Sequence, residues 1–258
     1  MRIISLSVDG IQSATDKGLF DWLAGQDAEA ICLQDLRMGE YDVLDNPRMQ
    51  LEGYYCYVLD APDASENGVA IYTRQMPKAI VFGFGMPTGE DTFGRYLQAD
   101  FDQYSIGSLL APNAEAGTQA QTDKLKFFDT LQAHLTKVTR KRRRYIICGG
   151  WGMAHKDIDV HNADAYSNTS GFLPEERQWL TQLYDEIGYA DAFRLANTDP
   201  DEFSWWPSGA AGEGDGWRTD TQIISQEIVP RVEYAVIYKA QEFSSHAPVI
   251  VDYDLEDL

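Results

Sequence analysis

Apolar and polar positions change places in short runs from the start of the chain. Arg2 to Val8 reads as a strand ended by Asp9-Gly10. Leu19, Phe20, Trp22 and Leu23 fall at helical spacing and stop at Gly25, a residue suited to a left-handed cap, and Ala30 to Gln34 is again a strand. A strand, helix, strand opening predicts the α/β class. Between Tyr54 and Ala111 the runs Tyr54 to Leu59, Val69 to Thr73, Ala79 to Phe84, Tyr96 to Phe101 and Ser105 to Leu110 are β-branched and aromatic, with Gly, Pro, Asp and Asn between them. They predict an antiparallel meander.

A helix follows over Asp123 to about Lys141, with Leu125, Phe128, Leu131, Leu135 and Val138 on one face. It leads into a buried strand from Tyr145. A second helix starts with Pro174 at its first position, runs through Trp179, Leu180, Leu183 and Ile187, and ends at Gly188. Gln222 to Ile228, Tyr234 to Tyr238 and Pro248 to Tyr253 are the closing strands. About eleven strands and three or four helices, in two similar halves, predict two packed sheets flanked by helices, a four-layered α/β/β/α sandwich.

Length and composition fit one domain over residues 1–258: the chain is 44% hydrophobic and 12% aromatic, with no repeat, linker or low-complexity tract. The start is a strand interrupted by polar residues rather than an export signal, and no apolar run approaches the roughly 18 residues of a membrane span. Cys32, Cys56 and Cys148 lie in apolar runs and read as reduced core residues, which points to the cytoplasm.

Charge changes the picture. A net charge of -20 argues against binding nucleic acid by counterion release over the whole surface. Yet Lys137, Arg140, Lys141, Arg142, Arg143 and Arg144 crowd into eight residues, which leaves about -26 on the rest. Cations complement the dipole at a helix C-terminus, but six exceed what a helix end uses. The run is therefore expected to meet an anionic partner, with arginines able to grip phosphates bidentately.

The stretch Tyr145 to His155 ends a central strand in the glycines Gly149, Gly150 and Gly152, a position where α/β sheets place their sites. It offers no carboxylate, amide or hydroxyl between Gly149 and Ala154. Nor does Trp151 to Asp157 clearly start the helix that a glycine-rich phosphate cradle requires. Four other stretches carry chemistry: Ser7-Val8-Asp9-Gly10, Leu33-Gln34-Asp35, Trp217-Arg218-Thr219-Asp220 and Ser244-Ser245-His246-Ala247-Pro248. Singly, each has a plain structural reading as a turn, a cap or a satisfied histidine.

Together, in this order, they resemble the endonuclease/exonuclease/phosphatase family nearly end to end. The resemblance implies a four-layered sandwich and hydrolysis of phosphodiesters by water activated beside Mg²⁺. Residue by residue the match is mixed. Asp9, Asp35, Asp220 and His246 stand at family functional positions, with Asp220 orienting the imidazole. Ser7 replaces an asparagine, Leu110 a tyrosine and Ser245 an aspartate. Gly150 stands where the family has its general-base aspartate, and Gly152 where it has an asparagine. A general base typically contributes 10²- to 10⁴-fold, so these losses imply no turnover, no catalytic residue and no bound metal or other cofactor.

The Ile31 to Asp35 strand, Gly94 to Phe101, Gly171-Phe172-Leu173, Phe203 to Pro207, Phe243 to Tyr253 and the basic run resemble one branch of the family in particular. That branch implies a non-nucleolytic translational co-repressor in carbon catabolite repression, acting with the RNA chaperone Hfq on A-rich mRNA initiation regions and binding RNA weakly alone. Two competing readings stay open: a divergent Mg²⁺-dependent nuclease or phosphatase using Asp9, Asp35, Asp220 and His246, and a direct RNA binder using the basic run. Trp205-Trp206 fits either a base-stacking platform or wall packing, and only one of two consecutive strand residues can face outwards.

Overall fold

Alternation along each strand decides which layer a side chain enters. In the computed structural model, which describes residues 1–86, 89, 91, 93–141, 143–209 and 211–255, one sheet holds β1 (Arg2–Ser7), β2 (Ala30–Gln34), β3 (Tyr55–Leu59), β4 (Val69–Thr73), β11 (Val232–Ile237) and β12 (Val249–Tyr253). Its order is β11-β12-β1-β2-β4-β3. The other holds β5 (Ala79–Phe82), β6 (Tyr96–Asp100), β7 (Tyr104–Leu110), β8 (Arg144–Gly150), β9 (Tyr189–Asp191) and β10 (Asp220–Ser225), in the order β5-β6-β7-β8-β10-β9. Ile3, Cys32, Ile146 and Cys148 point into the core between the sheets. Their neighbours Ile4 and Ile31 pack outwards under α1 (Ile11–Asp16) and α2 (Leu19–Ala24), and Ile147 packs under the helices of the opposite face. The result is the expected four-layered sandwich.

The block from Tyr54 to Ala111 is not one meander. β3 and β4 pair with β2 in the first sheet, whereas β5, β6 and β7 belong to the second. Every residue of β4 is buried, so it needs cover on both faces, and the chain must leave its sheet to supply that cover. Propensity records that a run is a strand but not its partner. The three-residue β9 escaped a reading that relies on longer runs.

The helices need three corrections. After the short α3 (Glu40–Leu44), helix α4 spans Gln119–Thr139, starting before Asp123 because the Thr118 hydroxyl accepts from the Gln121 N–H at 3.2 Å. Its buried stripe runs through Lys124, Phe127, Phe128, Leu131, Leu135 and Val138, and Leu125 sits only half-buried beside it. Gly25 ends α2 in a right-handed conformation (φ -91°), and Asp27 takes the positive φ instead. Gly188 does adopt the left-handed conformation (φ 99°), closing the π-type turn Leu183–Ile187 that continues α6 (Pro174–Gln182). Pro174 begins α6, which follows the short α5 (Ala163–Tyr166), and Glu176 accepts from the Leu173 N–H at 3.0 Å.

The cysteines are free, but Cys56 is only half-buried on β3 rather than in the core. Burial still pushes its thiol up to about 11. No helix among the described residues is long and apolar enough to cross a membrane.

Candidate functional site

Each sheet contains one parallel pair, β1 with β2 and β7 with β8, and both pairs run towards the same cleft. Ser7 lies opposite Gln34, Leu110 opposite Gly150, and Gly150 opposite Asp220 on β10. The cleft has a volume of about 280 Å³, and Ser7, Asp9, Asp35, Leu110, Gly150, Gly152 and His246 all line it. Asp220 sits just beneath, 1% exposed. The strand order thus gathers the retained and the altered family positions in one place. Ser245 joins them through Asp9, whose Oδ2 accepts from both its N–H (2.9 Å) and its hydroxyl (2.5 Å).

Asp220 is the most heavily bonded group here. Its Oδ1 accepts from the Ser7 hydroxyl at 2.9 Å, and its Oδ2 accepts from the Ser204 hydroxyl at 2.8 Å and contacts His246 Nδ1 at 2.7 Å. Burial opposes protonation of His246, but the carboxylate of Asp220 outweighs it, aided by Asp9 and Asp35, and the imidazole is held above its ordinary value. Trp205 stacks on that ring with centroids 6.1 Å apart, while Trp206 is buried, so the tryptophan pair is wall and core. From the sequence Ser204 stands only as part of the Phe203 to Pro207 run, with no role of its own. It also accepts from the N–H groups of Thr219 and Asp220 at 3.1 and 3.0 Å, pinning the base of the site.

Asp9 and Asp35 both hold positive φ, 51° and 59°, a conformation that costs a non-glycine residue roughly 1 kcal/mol. Backbone bonds hold the two turns together: Gly10 N–H donates to Asp35 O at 2.9 Å and Val8 N–H to Gln34 O at 2.8 Å. A second residue missed from the sequence is Arg37. Its Nε and Nη2 meet the two oxygens of Asp35 at 3.2 and 2.6 Å, and Nη2 lies 3.9 Å from Asp9 Oδ1. A hard divalent ion takes several oxygen ligands. The carboxylates that open on the cleft are Asp9 and Asp35, and one is already forked by a guanidinium, so the residues as placed do not fit such an ion. Among the described residues no group of three or more His, Cys, Asp and Glu side chains gathers to hold a metal.

The glycines of the loop have different reasons. A Cβ on Gly149 would lie 2.2 Å from Leu109 O, a backbone atom that cannot move aside. A Cβ on Gly150 would lie 2.6 Å from Ser7 Oγ and 3.4 Å from Asp220 Oδ1. The serine hydroxyl thus occupies the space into which a side chain at 150 would project. At Gly152 the constraint is conformational: its φ is 60°, and a Cβ would meet nothing nearer than 3.8 Å. Gly150→Ala should cost about 1–3 kcal/mol by overpacking. Added to Ser7→Ala, which strips Asp220 of a donor, it should cost less than the sum of the two single changes. Urea denaturation of the four proteins measures that coupling, and strict additivity would exclude the contact.

The basic run does not join the cleft. Arg144 opens β8 and Gly150 closes it, so at about 3.3 Å per residue the two lie about 20 Å apart, at opposite ends of the sheet. Lys137, Arg140 and Lys141 are exposed. Arg143 is partly spent: its Nη2 meets Asp100 Oδ1 at 2.9 Å and its Nε donates to the Ser105 hydroxyl at 2.7 Å. Arg144 Nη1 reaches Gln103 Oε1 at 3.4 Å. Arg142 lies outside the described residues. An open depression of about 640 Å³ is lined by Lys141, Arg143 and Arg144 together with Lys78, a cation that sequence spacing did not connect to the run. Asp100 and Asp102 share its wall, and Lys78 pairs with Asp102.

Comparison with known proteins agrees with this architecture. The family model described as the Endonuclease/Exonuclease/phosphatase family matches residues 8–228. The chain is 29% identical over 253 residues to an exodeoxyribonuclease of Bacillus subtilis (strain 168), covering 96% of this chain and 98% of that one. It is 28% identical over 256 residues to the DNA repair nuclease APEX1 of Danio rerio, covering 96% and 81% respectively. Among solved structures, an AP endonuclease from Archaeoglobus fulgidus superposes with a TM-score of 0.86 at 22% identity, over 99% of this chain and all of the other.

Proposed function

The chain belongs to the endonuclease/exonuclease/phosphatase family, and from that premise we propose that it is a non-catalytic member: a post-transcriptional regulator of the catabolite repression control type. In this reading it acts as a translational co-repressor with the RNA chaperone Hfq on A-rich mRNA initiation regions, and works in the cytoplasm. The observation that supports it most is Gly150. It lies opposite Asp220, at the point where the family places its general base, and the Ser7 hydroxyl stands where a side chain there would go. Loss of a general base removes about 10²- to 10⁴-fold of rate. Leu110, Gly152 and Ser245 take further groups from the same cleft.

The basic turn supplies the other half of the reading. Lys137, Arg140 and Lys141 project from the end of α4, with Arg144 at the start of β8, on a chain of net charge -20. Such a surface repels free RNA as a whole but can grip phosphates presented by a partner. The expected result in gel-shift titrations is weak binding of an A-rich RNA by this protein alone and a ternary complex when Hfq is present. Arg140→Glu with Arg144→Glu should weaken that complex and flatten its salt dependence. Unchanged assembly would reject the basic turn as the contact.

A nuclease reading keeps one specific support, the intact His246 and Asp220 pair at 2.7 Å, and the named relatives are nucleases. Incubation of the purified chain with DNA and RNA substrates in Mg²⁺ or Mn²⁺ decides between the two. Turnover that His246→Ala abolishes would establish the enzyme and overturn the regulator.

A further inference from the structure

We propose that Arg37 is a resident cation of the cleft, a tethered guanidinium that occupies the carboxylate pair Asp9 and Asp35 in place of a divalent ion and keeps such an ion out. The argument starts in the backbone. Arg37 has a φ of 51°, two residues after Asp35 at 59°, and the intervening Leu36 is fully buried. Leu36 N–H donates to Gly68 O at 3.1 Å and Arg37 N–H to Asn67 O at 2.8 Å. Two successive turns of this kind bring the Arg37 side chain back over the carboxylate that precedes it. The fork of 3.2 and 2.6 Å uses both oxygens of Asp35, and the second nitrogen still lies 3.9 Å from Asp9.

A metal ion would have to displace that fork before it could bind. Competition of this kind is direct, because the guanidinium already takes both oxygens of Asp35 that an ion would need. A tethered cation also needs no ligand concentration to stay in place. Asp9 is further engaged: both donors of Ser245 are on its Oδ2, so a single oxygen, facing Arg37, is left for another cation. The proposal concerns only this pair and stands or falls apart from the regulatory reading, whose tests read RNA complexes and turnover rather than metal binding.

The test is direct titration of the full chain with Mn²⁺, read by water-proton relaxation, on the natural sequence, on Arg37→Met and on Arg37→Met with Asp35→Asn. The natural chain should bind weakly, Arg37→Met about tenfold tighter or more, and the double variant should lose the gain. Arg37 is half-exposed, so the fold should survive, and Arg37→Gln serves the same comparison if methionine disturbs the turn. Equal Mn²⁺ affinity in the natural and Arg37-substituted chains would overturn the proposal. So would a gain that persists after Asp35→Asn.

Discussion

Lys124→Met should destabilise the fold by about 3–5 kcal/mol, the cost of leaving a buried charge without its partner. Lys124 and Glu176 are 2% and 0% exposed, with Nζ and Oε1 2.8 Å apart. Glu176 is otherwise bonded throughout. Its Oε2 accepts from the N–H groups of Gly171 and Leu173 at 2.6 and 3.0 Å, and its Oε1 accepts from Gln121 Nε2 at 3.0 Å. Methionine has nearly the length of lysine, so packing should change little and the loss should report the charge. Lys124 Nζ also donates to Gly152 O at 2.9 Å, tying α4 to the glycine loop. Urea denaturation should show a lower midpoint, and Lys124→Met with Glu176→Gln should recover part of the loss. A change below about 1 kcal/mol for the single variant would mean that water reaches the pair.

Asp159→Asn should cost a comparable amount, about 3 kcal/mol or more, and should change the acid limb of the stability curve. Asp159, 1% exposed, lies between Arg194 Nη2 at 2.8 Å and Arg218 Nη2 at 2.9 Å, and Arg218 also meets Asp191 Oδ2 at 2.7 Å. Burial works against the Asp159 carboxylate, but the two guanidinium groups and the Lys156 N–H outweigh it and hold its proton affinity below the ordinary range. A depressed carboxylate stabilises the fold fully above its unfolded value of about 3.9. That stabilisation disappears as pH falls through the folded value. Urea midpoints measured from pH 7 to pH 3 should therefore fall more steeply for the natural chain than for Asp159→Asn. Parallel curves would show that other carboxylates govern acid unfolding.

Strands such as β2 and β4 were legible because their runs are apolar up to a polar last residue, and the resulting layers followed. Sheet membership was not, since β4 and β5 read alike although they belong to different sheets. The register that sets Gly150 against Asp220 arises from a pairing of distant segments, which local periodicity does not contain. In the cleft, the order of four short motifs, each at the end or start of a strand, led to Asp9, Asp35, Asp220 and His246. Arg37 and Lys124 stayed hidden for physical reasons. The first depends on two left-handed residues that direct a side chain back on itself, and the second is a cation in an apolar helical stripe, balanced by a glutamate far along the chain.

Strand β8 carries Arg144 at one end and the glycine pair at the other, about 20 Å apart. Sites so far apart act additively, within about 0.3–0.5 kcal/mol. The chain can therefore be treated as two independent mutational modules on one rigid spacer. A charge-reversed turn and a refilled cleft can be combined in one protein, and each phenotype can be assigned to its own end of the strand.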